Sequence, residues 1–173
     1  MNRGELLTRL TIWIAFGGYA ASAVISLLRR ESTAWQTRAR WASTVGCAAL
    51  ALHTACALHF YHGWSQASAY REVERQTAEV TGAAWGGGLF INYAFLALWI
   101  ADVAWWWRGL EVYRRRHWLI TGAWHSLFVF MLFNATVVFK TGWVRWLGAA
   151  ICAALLLVST LRSRRNSDEL CKS

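Results

Sequence analysis

Five apolar runs of about 20 residues dominate the sequence, and charged or interfacial aromatic residues separate them. A run of that length is long enough to cross the hydrocarbon core of a bilayer as an α-helix. The last run is the shortest, so a re-entrant segment is the alternative there. We predict an all-α integral membrane protein with a single domain, residues 1–173, formed by a bundle of five transmembrane helices at residues 8–28, 41–60, 88–107, 118–139 and 144–161.

The charged residues support this class. They make up 16% of the chain, whereas about 25% is usual for a soluble domain. The net charge of +9 suggests nucleic acid at first sight, but the basic residues lie between the apolar runs instead of along one polar face. We therefore expect the lipid bilayer and other membrane protein subunits as partners, and no nucleic acid. The sequence has no Walker loop, HExxH or GxSxG motif, so it assigns no catalytic residue.

The distribution of Lys and Arg predicts the orientation, because short cytoplasmic loops are enriched in these residues. Twelve lie in the connections on one side of the predicted bundle: Arg29, Arg30, Arg38, Arg40, Arg108, Arg114, Arg115, Arg116, Arg162, Arg164, Arg165 and Lys172. Six lie on the other side: Arg3, Arg9, Arg71, Arg75, Lys140 and Arg145. We therefore expect a multi-pass protein of the inner (plasma) membrane with its N-terminus outside and its C-terminus in the cytoplasm.

The loop between the second and third runs, residues 61–87, is longer than a connection requires. Its apolar positions recur at helical spacing at Tyr70, Val73, Thr77 and Val80. Ser65 or Ser68 can cap the start of a helix here, and Gly82 can end it. We predict a short amphipathic helix in this outer loop, lying on the membrane surface or capping the bundle.

Histidines near the outer end of the second run indicate a candidate metal site. His59 and His62 are three residues apart, a spacing at which one helix can present two imidazoles to one ion. With Glu72 as a third ligand and His53 nearby, they predict a transition metal or haem at the outer face. The alternative is that His59 and His62 are solvated at headgroup level and that His53 bonds Asn134 or a backbone carbonyl.

Asp102 and His125 form the second candidate. They lie about 8 and 10 Å from the same membrane interface on consecutive antiparallel runs, and either group alone is costly in lipid. We expect them to meet inside the bundle as a buried polar pair. The pair can be structural, can relay protons, or can orient His125 as a metal or haem ligand. A haem between His53 and His125 is less favoured, since their depths differ by about 8 Å.

Two amides, Asn92 and Asn134, are the other polar candidates within the runs. Together these features favour a small accessory subunit of a larger membrane complex, with a His-lined metal or haem site at the outer face. The alternatives are a stand-alone metal- or haem-binding redox protein and a proton-coupled carrier that uses Asp102 and His125. The carrier is weakened because no inverted repeat is visible and the chain contains no proline to break a helix.

Overall fold

In the computed structural model, residues 3–29, 32–135 and 146 are described. These residues contain no strand, which confirms the all-helical prediction. Six helices follow one another along the described chain: α1 (Arg3–Leu28), α2 (Thr33–His62), α3 (Gln66–Thr81), α4 (Gly88–Trp107), α5 (Leu110–Arg114) and α6 (Trp118–Phe133).

Three helices, α1, α2 and α4, are long and apolar enough to cross a membrane. The bounds of α4 coincide with the predicted third span, whereas α1 and α2 begin earlier than the first two predicted spans. The reason is that hydropathy marks only the part of a helix that lies in hydrocarbon. Backbone hydrogen bonding continues through charged turns such as the one that contains Arg38 and Arg40.

Small residues let α1 and α2 pack closely. A Cβ atom built on Gly18 would lie 2.7 Å from the Ala42 carbonyl oxygen and 2.8 Å from the Cα atom of Gly46. On α2, Gly46 also faces the indole of Trp99 from α4, and the Trp99 N–H donates to Ser43 Oγ at 3.1 Å. The glycines therefore set the distance between the first two helices and leave room for the largest buried side chain of α4.

The segment between α2 and α4 is itself helical. Ser65 caps the start of α3 by accepting a hydrogen bond from the Ser68 N–H, and Gly82 ends the helix in the left-handed region at φ 77°. Tyr70 of α3 contacts the ring of Phe90 near the start of α4, with 6.1 Å between ring centroids. These contacts direct the apolar side of α3 towards α4.

The chain divides into two compact units, Met1–Arg116 and His117–Ser173. Helices α1 to α5 belong to the first unit, and α6 belongs to the second. Apart from residue 146, the predicted span 144–161 lies outside the described residues, as does the end of the predicted span 118–139. The single-domain organisation and the five-helix bundle stay predictions.

Candidate functional site

A polar cluster lies where the chain leaves α4 and folds back over its end. Gly109 adopts φ 147° and ψ 142°, a conformation that side-chain-bearing residues rarely adopt. This turn starts α5, which brings Tyr113 and then Arg116 back to Asp102. One Nη atom of Arg116 lies 2.6 Å from Asp102 Oδ1, and the Tyr113 hydroxyl donates to Asp102 Oδ2 at 3.0 Å.

Apolar and aromatic neighbours shield this cluster. The side chains of Asp102 and Arg116 are only 10% and 8% exposed. The guanidinium of Arg116 lies over the Tyr113 ring, 4.0 Å from its centroid. The ring of Trp106 stacks on Tyr113 with 4.3 Å between centroids. Burial, followed by the nearby Asp102 carboxylate, raises the pKa of the Tyr113 phenol, so Tyr113 acts as a neutral donor.

The cluster is an ion pair in which the positive charge of Arg116 balances the negative charge of Asp102. The carboxylate accepts from a cation and from a phenol, so a buried charge that would be costly alone is balanced. This arrangement fastens α5 and the arginine-rich connection to the end of α4. Asp102 was predicted to be structural, to relay protons or to orient His125 as a ligand, and the structural role fits these contacts most directly.

The predicted pairing of Asp102 with His125 remains a prediction. His125 lies on α6 in the second compact unit, and Asp102 lies in the first. Sequence reasoning missed Tyr113 and Arg116 because it treated residues 108–117 as a loop between two spans. The glycine at position 109, followed by apolar Leu110 and Tyr113 at helical spacing, is the signal that indicates a short returning helix.

His53 joins α2 to α1. Its Nδ1 atom lies 2.9 Å from the carbonyl oxygen of Thr8. The Thr8 hydroxyl donates to the Gly4 carbonyl within α1 at 2.7 Å. A backbone carbonyl was one of the partners that the sequence allows for His53, and with this bond the imidazole holds two helices together.

His59 and His62 have separate partners. The indole N–H of Trp64 donates to His59 Nδ1 at 3.2 Å, and Trp64 itself has a positive φ of 64° just after the end of α2. His62 Nδ1 lies 3.3 Å from the Ser68 hydroxyl at the start of α3. Both imidazoles therefore hold the turn between α2 and α3.

The carboxylate of Glu72, predicted as their acidic co-ligand, is engaged within α3. Arg75 binds it with two nitrogens, at 2.6 Å to Oε1 and 3.0 Å to Oε2, and Gln76 donates to Oε1 at 2.7 Å. Arg75 also pairs with Glu79. Within residues 3–29 and 32–135, no three His, Cys, Asp or Glu side chains are grouped so that they could hold a metal ion.

These hydrogen bonds, from Arg75 first and Gln76 second, lower the pKa of Glu72 from 4.5 to about 2. Because the pKa is lower in the folded helix, the stabilisation by Glu72 is present above pH 4.5 and is lost as the pH falls towards 2. We expect carboxyl ¹³C NMR titration to show this low midpoint, and Arg75→Gln to raise it.

Arg71→Gln is the matched control for that titration, since Arg71 donates to the Ala67 carbonyl and not to Glu72. It should leave the midpoint of Glu72 where it is in the unsubstituted protein. An ordinary Glu72 midpoint in the unsubstituted protein would contradict the contacts within α3.

The two remaining candidates are amides. Asn92 is exposed on α4 in the first unit. Asn134 follows α6 in the second unit, and its amide donates to the Phe130 carbonyl one turn earlier at 2.8 Å.

Comparison with models of known protein families, with curated protein sequences and with solved structures finds no match. The function of the site is therefore inferred from the contacts and the chemistry of its residues.

Proposed function

We propose that this chain is a five-span integral membrane protein that serves as an accessory subunit of a larger membrane complex. The proposal rests on the contacts made by the polar side chains within the predicted spans. His53, Ser43 and Asp102 are each engaged in contacts that join one segment of the chain to another. Such contacts stabilise a helical scaffold, which is what an accessory subunit contributes.

The surface of α4 supports the same proposal. Three of its buried residues, Phe95, Trp99 and Trp106, lie on one face and are at most 4% exposed. Its other sides carry large apolar groups such as Leu98, which is 51% exposed. In a membrane this surface meets lipid or the helices of another subunit, and both are compatible with its composition.

The proposal includes the plasma membrane, with the N-terminus outside and the C-terminus in the cytoplasm. It rests on the excess of Lys and Arg in alternate connections. In this orientation α3 lies on the outer side, and the Asp102 cluster lies near the cytoplasmic side. The contacts do not favour a metal shared by His59, His62 and Glu72, because these side chains have separate partners.

Photo-crosslinking in native membranes tests the accessory role. A photoreactive amino acid at Leu98 is expected to give a discrete adduct with a second polypeptide, identified by mass spectrometry. The same probe at Phe95, which is 4% exposed, is the control and should react only within the chain. Lipid adducts alone from Leu98 and from the other exposed positions of α4 would contradict a partner on this helix.

A further inference from the structure

An arginine at the start of the apolar part of α2 has an unusual environment. The guanidinium of Arg40 lies over the ring of Trp107, with 4.1 Å from Cζ to the ring centroid. Its Nε atom is buried and has no hydrogen-bond acceptor in the described part of the chain. An unpaired buried donor is costly, and more so when it is charged. Arg40 as a whole is only partly buried, so an acceptor from outside the chain can reach its guanidinium.

The aromatic surface beneath Arg40 is fixed in place. The Trp107 N–H donates to Thr44 Oγ1 at 3.0 Å, and Trp41 meets the Trp107 ring edge to face at 4.9 Å. Both indoles are also partly exposed, at 54% for Trp41 and 42% for Trp107. Tryptophans at helix ends lie at the level of lipid headgroups, so Arg40 is held at the depth where phosphate groups are found.

The charged groups around Arg40 favour an anionic ligand. In the described part of the chain, the carboxylates of Asp102, Glu5 and Glu72 pair with other arginines. On the same side of the first unit lie Arg38 and Arg108, both exposed. Trp106 of α4 is buried in one cluster with Ala39 of α2, and its indole N–H is a second buried donor without an acceptor among the described residues. Donors therefore exceed acceptors where α2 meets α4.

We propose that Arg40, seated on Trp107 and bordered by Trp41, binds a phosphate group, and that a phospholipid headgroup supplies it. A guanidinium presents its N–H groups as a planar fork that matches two phosphate oxygens. The exposed indole faces give the glycerol region of a lipid an apolar surface, which free phosphate does not need. The site goes beyond the accessory role and does not depend on it.

Native mass spectrometry of the full chain in detergent tests the proposal, with phosphatidylglycerol, phosphatidylcholine and inorganic phosphate titrated separately. Arg40→Gln is expected to weaken the tightest phospholipid by about tenfold, equivalent to about 1.4 kcal/mol. Arg38→Gln is the matched control, because it removes the same charge two residues away and Arg38 lies over Trp35 at 4.4 Å. It should change the affinity less than threefold.

Arg40→Lys keeps the positive charge, which contributes to the orientation in the membrane, but removes the paired N–H groups of the guanidinium. We expect the affinity for the phospholipid to fall by about threefold to tenfold. Tight binding of inorganic phosphate that depends on Arg40 and displaces the lipid would leave the phosphate chemistry standing and identify free phosphate as the ligand. Equal losses in Arg40→Gln and Arg38→Gln, or unchanged binding in Arg40→Lys, would overturn the proposal.

Discussion

Replacing Asp102 by Ala is expected to destabilise the folded protein by about 3 to 5 kcal/mol, because it breaks a buried ion pair by removing the carboxylate that binds Arg116. Arg116 is only 8% exposed, and its contact with Asp102 is 2.6 Å long. The loss should appear as a lower free energy of unfolding when the protein in mixed micelles is titrated with a denaturing detergent and followed by circular dichroism.

Glu111→Ala is the control for this experiment, since it removes an exposed carboxylate from α5 close to the same cluster. We expect a change below about 0.5 kcal/mol, as for surface substitutions in general. The double variant Asp102→Leu with Arg116→Met should recover most of the loss, because an apolar pair replaces both charges. A change below about 1 kcal/mol for Asp102→Ala would show that the ion pair does not hold α5 to α4.

Gly18→Ala is expected to destabilise the contact between α1 and α2 by about 1 to 3 kcal/mol, the usual cost of overpacking. The added methyl would lie 2.7 Å from the Ala42 carbonyl oxygen and 2.8 Å from Gly46 Cα. Both are backbone atoms, so the helices themselves have to separate. The same detergent titration measures the effect.

Gly17→Ala provides a control one residue away in the same helix. Beyond the nearby backbone of its own helix, a Cβ atom there has no neighbour within 4 Å in the described part of the chain. Alanine also favours helix more than glycine by about 1 kcal/mol. We expect this variant to be as stable as the unsubstituted protein or slightly more stable. Equal effects of the two substitutions would exclude close helix packing as the reason for the sensitivity of Gly18.

The sequence is informative about the helices because a membrane imposes length and hydropathy on them. The third predicted span and α4 share the bounds Gly88 and Trp107. The ends of α3 lie at Ser65 and Gly82, residues whose local chemistry suits a cap. Helices α1 and α2 begin before the predicted spans 8–28 and 41–60, because a helix continues into the charged turns that hydropathy excludes.

The partners of the polar groups could not be predicted in the same way. Counting residues from the end of a span gives the depth of a side chain in the membrane, but it does not show where the chain turns back. The Asp102 carboxylate is bound by Arg116, which reaches it because the chain turns back at Gly109. His53 bonds the Thr8 carbonyl, and every residue offers such an acceptor, so no residue type marks it. Glu72 is engaged by Arg75 and Gln76 on its own helix.

The placement of both termini tests the membrane architecture most directly. An odd number of spans requires the ends of the chain to lie on opposite sides, and the distribution of Lys and Arg predicts a cytoplasmic C-terminus. A cytoplasm-specific reporter fused after Ser173 should be active, and a periplasm-specific reporter at the same position should be inactive. The opposite pattern after Ser173, or both termini on one side of the membrane, would contradict the five-span account.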